Sequence, residues 1–403
     1  MVTGRQNGSA VDGAQHDTPG IAVIIATYNR SHLIGETLDS VLAQTRPADE
    51  LIVVNDGSTD DTAAVLRRYG DRIRVITQRN GGKSSALNCA IPQSRSHNVC
   101  IFDDDDIMLA NNLATHMEVL DAHPEVDFTY CLHHVFDDTT SPDAVDRTPV
   151  KTLPDVSAPR FFNWIMESPF LPTPMQGMLI RRACLERTGL FDVELTRSQD
   201  RDMVMRLARR FRPRRIPHAL WALREHSGRR GPGFDSHNAD ERYAAWTAHK
   251  QHVFTKLRAS VDIAEYVPTD IAATLVTEPR AIERYGYLQR GVIMAIHGLH
   301  QLALADLDTY LRLRDDDQRA TSGAEQMLIS KLTYLQAPDL ALPTVYYRAV
   351  GHRCRRHPAI APPLLRGLYW SARRDLWRRR DPHSLRMSLQ RLAFLALGAC
   401  HQK

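Results

Sequence analysis

Four short strand-like runs, each followed by a polar loop and a helical stripe, confine this chain to an α/β layer. They cover residues 21–26, 51–54, 74–77 and 99–102. The first, apolar without alternation, suits a strand buried on both faces of a parallel sheet, and the third, Arg74-Val75-Ile76-Thr77, is mixed in polarity. Between them lie helical spacings. Beyond Ser31, a plausible N-cap, Ile34, Leu38, Val41 and Leu42 form one stripe; a second helix opens at Asp60 or Asp61 and ends near Gly70; a third covers 84–90. The expected core is an α/β, doubly wound, mostly parallel sheet with right-handed crossovers. In such sheets ligands bind beyond the carboxyl ends of the strands. The loops there carry the functional weight.

The fourth run ends in four consecutive aspartates, Asp103, Asp104, Asp105 and Asp106. Their mutual repulsion calls for a cation, and hard divalent ions such as Mg²⁺ or Mn²⁺ take oxygen ligands and share them with phosphates. If Asp103 and Asp105 form an Asp-x-Asp pair, alternation puts them on one side of an extended chain. The competing reading is a solvated turn capping a helix near Leu109. Three further loops hold polar residues of note. Thr27, Tyr28, Asn29 and Arg30 offer a hydroxyl, an aromatic face and a planar fork suited to a base and a diphosphate; the alternative is a capped helix start. Asp56, in Asn55-Asp56-Gly57-Ser58, can accept a hydrogen bond from an imino group, or merely belong to a turn. Asn80-Gly81-Gly82-Lys83-Ser84 lets backbone N–H groups and Lys83 approach an anion. Its glycine and lysine spacing does not fit a Walker loop.

At 403 residues the chain has room for a large domain and a smaller one. We expect residues 1–19 to be a disordered leader, 20–240 the α/β domain, and 241–403 a helical C-terminal domain. A longer strand is expected over 126–136, with helices over 159–167 and 201–210. No apolar run reaches the roughly 20 residues that span a bilayer, and the N-terminus lacks a secretory core. Six scattered cysteines without a Cys-x-x-Cys pair point to a reducing cytoplasm. The net charge of +4 conceals a basic tail. From Val345 onward thirteen Arg/Lys stand against two Asp. Arg373, Arg374, Trp370, Trp377 and residues 378–380, beside the stripe of Leu385, Leu389, Leu392 and Ala396, read either as a peripheral contact with an anionic leaflet or as a helix packed on protein, including a second subunit. Nucleic acid is not expected as a partner.

The ordered motifs Ala26-Thr27-Tyr28-Asn29-Arg30, Val54-Asn55-Asp56-Gly57-Ser58, Asn80-Gly81-Gly82-Lys83 and Phe102-Asp103-Asp104-Asp105-Asp106 resemble those of family 2 glycosyltransferases. The resemblance spans about residues 20–230. It implies the GT-A fold, a nucleotide-diphosphate sugar donor (a UDP-sugar first among them), and inversion at the anomeric carbon. Thr27, Tyr28 and Asp56 would hold the base, Lys83 would lie along the nucleoside, Asp103 would face the ribose, and Asp105 would bind the metal. Asn29, Arg30 and Asp104 complete the donor loops. Further on, Thr188-Gly189-Leu190-Phe191-Asp192 and Gln199-Asp200 resemble the family's Gly-x-Phe-Asp and Glu-Asp motifs, which makes Asp200 the catalytic base; Gln199 departs from the usual Glu. Arg224-Glu225-His226 resembles the segment that folds over the diphosphate, with Arg224 on phosphate and His226 on phosphate or metal. Two other classes compete. A sugar nucleotidyltransferase would need a Gly-rich loop after the first strand, and residues 27–30 contain no glycine. A non-enzymatic polyanion- or membrane-binding module would act through the tail. Neither the donor sugar nor the acceptor is legible.

Overall fold

The computed structural model describes residues 18–225, 239–278, 280–316, 320–333 and 344–379. His226, most of the expected leader and the stripe from Leu385 to Ala396 lie outside them. In chain order the first elements are β1 (Thr18–Thr27), α1 (Ile34–Leu42), β2 (Glu50–Asn55), α2 (Thr62–Arg67), β3 (Arg74–Thr77), α3 (Gly82–Ala90), β4 (Ser96–Phe102), β5 (Ile107–Met108), α4 (Asn112–Ala122), β6 (Phe128–Asp137) and β7 (Val150–Lys151). Then come α5 (Ala158–Glu167), β8 (Met178–Arg181), α6 (Arg182–Thr188), α7 (Gln199–Arg210) and β9 (Pro213–Glu225). The remainder is helical: α8 (Ala239–Ser260), α9 (Thr269–Leu275), α10 (Ala281–Ile296), α11 (His300–Asp316), α12 (Gly323–Lys331), α13 (Thr344–Arg356) and α14 (Ala361–Arg379).

Two compact units interleave along the sequence. The first holds the described residues up to Thr152, Met175–Val193, and Arg215 to the end of β9; the second holds Leu153–Pro174, Glu194–Arg214 and the described residues from Ala239 onward.

In the first unit the strands run in the order β3-β2-β1-β4-β8-β6-β9-β5, with β7 on β6. The first four are parallel, and the β4–β8, β6–β8, β6–β7 and β5–β9 pairs are antiparallel. Register aligns the carboxyl ends. Thr27 lies opposite Asn55, Asn55 opposite Thr77, and Ile25 opposite Phe102. The loops after β1, β2, β3 and β4 therefore leave one edge of the sheet, as the apolar runs require. One face of β1 (Ile21, Val23, Ile25) packs with Ile34, Leu38 and Val41 of α1 and with Leu113, Met117 and Leu120 of α4. Each such side chain contributes about 1.5–3 kcal/mol on burial.

Three local expectations give way to long-range contacts. Ser31 does not cap α1: its N–H donates to Asp60 Oδ2 at 3.1 Å, and the helix starts at Ile34. Helix α3 opens at Gly82, two residues earlier than the spacing predicts, because a distant carboxylate takes up its first N–H groups. After the aspartates comes not a helix near Leu109 but β5, which pairs with β9, and α4 follows at Asn112. Strands β8 and β9 have no strong sequence signal of their own; the antiparallel half of the sheet is a tertiary product.

The second unit is helical among its described residues. Its buried carboxylates are matched by guanidinium groups. Asp306, 1% exposed, receives Arg290 Nη2 at 2.8 Å and also pairs with Arg258. Arg284 meets Glu325 at 2.9 Å, both buried. Among the described residues no helix is long and apolar enough to cross a membrane.

Candidate active site

Asp56 shows how the loops are assembled. It is 3% exposed at the end of β2, and its Oδ1 accepts from Gly81 N–H at 2.9 Å and from Gln78 Nε2 at 2.7 Å, while Oδ2 accepts from Gly82 N–H at 2.8 Å. The carboxylate thus caps α3 from a neighbouring loop, where the helix N-terminus favours negative charge. Gly57 makes the approach possible: it sits at φ +75°, and a Cβ there would lie 2.7 Å from Asn80 N. Asn29 stitches the adjacent pair of loops. It adopts φ 53°, which Asn tolerates, its N–H donates to Ser58 Oγ at 3.0 Å, and its Oδ1 accepts from Thr59 N–H at 2.8 Å. Thr27 is buried beside them and Tyr28 half-buried.

The aspartate turn is the electrostatic centre. Lys83, at the start of α3, donates to Asp103 Oδ1 at 2.6 Å, and Gln176 Nε2 donates to the other oxygen at 2.5 Å. Arg30 lies 3.6 Å from Asp104 and 3.8 Å from Asp105. Burial, then the charge of Asp105, pushes the Asp104 carboxyl up to about 7 despite Arg30. Asp106 is fully buried; burial and then its neighbours Asp105 and Asp103 raise its carboxyl well above the usual range. Its Oδ1 accepts from Arg224 N–H at 3.0 Å, and its Oδ2 has no hydrogen-bond partner among the described residues.

Arg224 braces this turn. Its Nε donates to Asp105 O at 3.0 Å, its fork pairs with Glu36 and, at 3.5 Å, with Asp138, and it lies 4.5 Å over the Phe136 ring. It is 6% exposed.

One carboxylate oxygen each from Asp103, Asp105 and Asp106 lies within 4.8 Å of the others. Together with the orphaned Asp106 Oδ2 this donor set fits a hard divalent cation, which takes carboxylate oxygens. The first unit therefore brings Thr27, Tyr28, Asn29, Arg30, Asp56, Lys83, Asp103, Asp104, Asp105 and Arg224 to the loops at one end of its sheet. Asp200 is half-buried in the first turn of α7, in the second unit, after Ser198 at φ 60°.

Two contributors escape motif reading. Gln176 reaches Asp103 across 73 residues. Asn88 of α3 holds the backbone of Phe191 reciprocally, donating to its O and accepting from its N–H, both at 2.8 Å, and so anchors the Gly189-Leu190-Phe191-Asp192 segment. Polar side chains at helical spacing carry no signal of such partners.

Residues 22–186 match the model of glycosyl transferase family 2. An uncharacterized glycosyltransferase of Rickettsia prowazekii is 31% identical over 189 residues, covering 46% of this chain and 58% of that protein. One from Rickettsia typhi is 30% identical over 195 residues, 48% of this chain and 59% of that protein. The chain thus spans under two thirds of the length of these relatives. Among solved structures, S. aureus TarS 1-349 in complex with UDP-GlcNAc superposes with TM-score 0.48 at 17% identity, covering 90% of this chain and 92% of that one.

Proposed function

We propose that this chain, whose residues 22–186 belong to glycosyl transferase family 2, moves a sugar from a nucleotide-diphosphate donor to an acceptor nucleophile with inversion at the anomeric carbon. The carrying observation is the convergence of three carboxylates at the end of β4, with Lys83 and Arg30 alongside. The transferase portion is taken as residues 20–240 and the helical remainder as 241–403. In this reading Thr27, Tyr28 and Asp56 border the base, with Asp56 also holding the Gly81–Gly82 turn in shape. Lys83 and Gln176 fix both oxygens of Asp103, so the carboxylate meets the ribose in one orientation. Asp105, with Asp103 and Asp106 beside it, would hold Mg²⁺ or Mn²⁺, which when bound offsets charge on the diphosphate leaving group. Arg224, braced behind the turn, keeps Asp105 and Asp106 in place.

The attacking hydroxyl is a poor nucleophile, and a carboxylate must take its proton as the new bond forms. The family motif assigns that proton to Asp200. A base acting opposite the leaving group implies a single displacement and inversion, by the geometric argument used for glycosidases.

Calorimetric titration of the full chain with UDP-, GDP- and dTDP-sugars, with and without Mn²⁺, tests the reading. Metal-dependent uptake of one donor class is expected. Absence of uptake of all three, with the protein folded, overturns it.

A further inference from the structure

Helix α14 shows two sharply different sides. Leu364, Gly367, Leu368 and Ser371 are buried. Thr333 Oγ1 donates to Leu364 O at 2.7 Å, and Gly367 sits so close to Ser330 that no Cβ would fit, which sets this side against the end of α12. The exposed positions fall in pairs one turn apart: Leu365 and Arg366, Tyr369 and Trp370, then Arg373 with half-buried Arg374. Leu365 is 43% exposed, Tyr369 57% and Trp370 48%, and the Arg373 guanidinium lies 5.3 Å over the Trp370 ring. Residues 361–374 contain no carboxylate.

We propose that this face of α14 is a docking surface for an anionic lipid bilayer. Tyr and Trp rings with one polar edge sit at the depth of headgroups, and guanidinium groups beside them meet lipid phosphates. Charge complementarity selects this occupant. A second copy bound face to face would set arginines against arginines. The eleven-charge basic surplus from Val345 onward adds long-range attraction to an anionic surface. Among the described residues no helix is long and apolar enough to cross a membrane, and the contact proposed here is that of the α14 face. The α14 face shares no residue with the sugar-transfer site, and either reading can fail alone.

Flotation of the full chain with phosphatidylcholine vesicles, with and without phosphatidylglycerol, is the test. Binding is expected to the anionic vesicles and to weaken as salt rises. The double variant Arg366→Gln/Arg373→Gln is expected to lose affinity by roughly fivefold per charge. Tyr369→Ser/Trp370→Ser is expected to lose about tenfold while keeping the far-UV circular dichroism of the parent. The proposal is overturned if anionic vesicles are not bound at low salt, or if both variants bind as the parent does. Self-association lost in these variants, without lipid binding, overturns it in favour of a protein interface.

Discussion

The two units handle buried carboxylates in opposite ways. In the second, Asp306 is met by Arg258 and Arg290, and Arg284 by Glu325, so each buried carboxylate has a guanidinium of its own. In the first, four aspartates stand together with Lys83 on Asp103 and Arg30 more than 3.5 Å from Asp104 and Asp105, and burial, then the charge of Asp105, raises the Asp104 and Asp106 carboxyls. A matched charge holds a fold in one register. An excess of one sign, kept in place by backbone N–H groups and by Arg224, instead favours the arrival of a cation or of donors from a ligand.

Breaking this contrast at its functional end has the largest expected effect. Asp105→Ala or Asp200→Ala should lower sugar transfer by about a thousandfold, measured by product formation from the donor that calorimetry identifies, with the unfolding temperature little changed. Full activity in either variant removes that residue from the mechanism. At the structural end, Asp306→Ala strands Arg258 and Arg290 and should cost about 3 kcal/mol in denaturant unfolding of the second unit. A loss equal to that of an exposed carboxylate would mean the pairs are solvated.

A third effect is read by pH. His116 is fully buried against Thr129 Oγ1 at 2.7 Å, and burial pushes its imidazole down to about 3. The unfolded chain takes up this proton near pH 6.5 and the folded one does not, so stability is complete above 6.5 and falls as pH drops toward 3. Acidification from 6.5 to 5 should cost about 2 kcal/mol. His116→Leu should flatten that slope. The smallest expected change comes from Gln176→Ala, which frees one oxygen of Asp103 and should weaken donor binding about tenfold, raising KM more than it lowers kcat. An unchanged KM would leave Lys83 as sufficient to orient Asp103.

Much of the site is legible because its residues follow directly on strands. A parallel strand delivers whatever follows it to the carboxyl edge of the sheet, so Thr27, Asp56 and the aspartates could be placed from apolar runs alone. The uses of these residues were less legible. Asp56 is a turn residue by local pattern, yet it caps α3 through Gly81 and Gly82. Asn29, expected in the donor loops, also ties one loop to the next. Arg224 reads as a phosphate grip, and its guanidinium braces the aspartate turn against Glu36 and Asp138.

By itself the amino-acid sequence determined the parallel half of the sheet, the helical character of the later chain and the concentration of carboxylates after β4, because apolar runs and like charges act over a few residues. Tertiary structure alone decided the antiparallel strands β8 and β9, the reach of Gln176 to Asp103 and the burial of Asp106. Those depend on which distant polar groups come within about 3 Å once the core has closed, and no local spacing encodes a partner a hundred residues away.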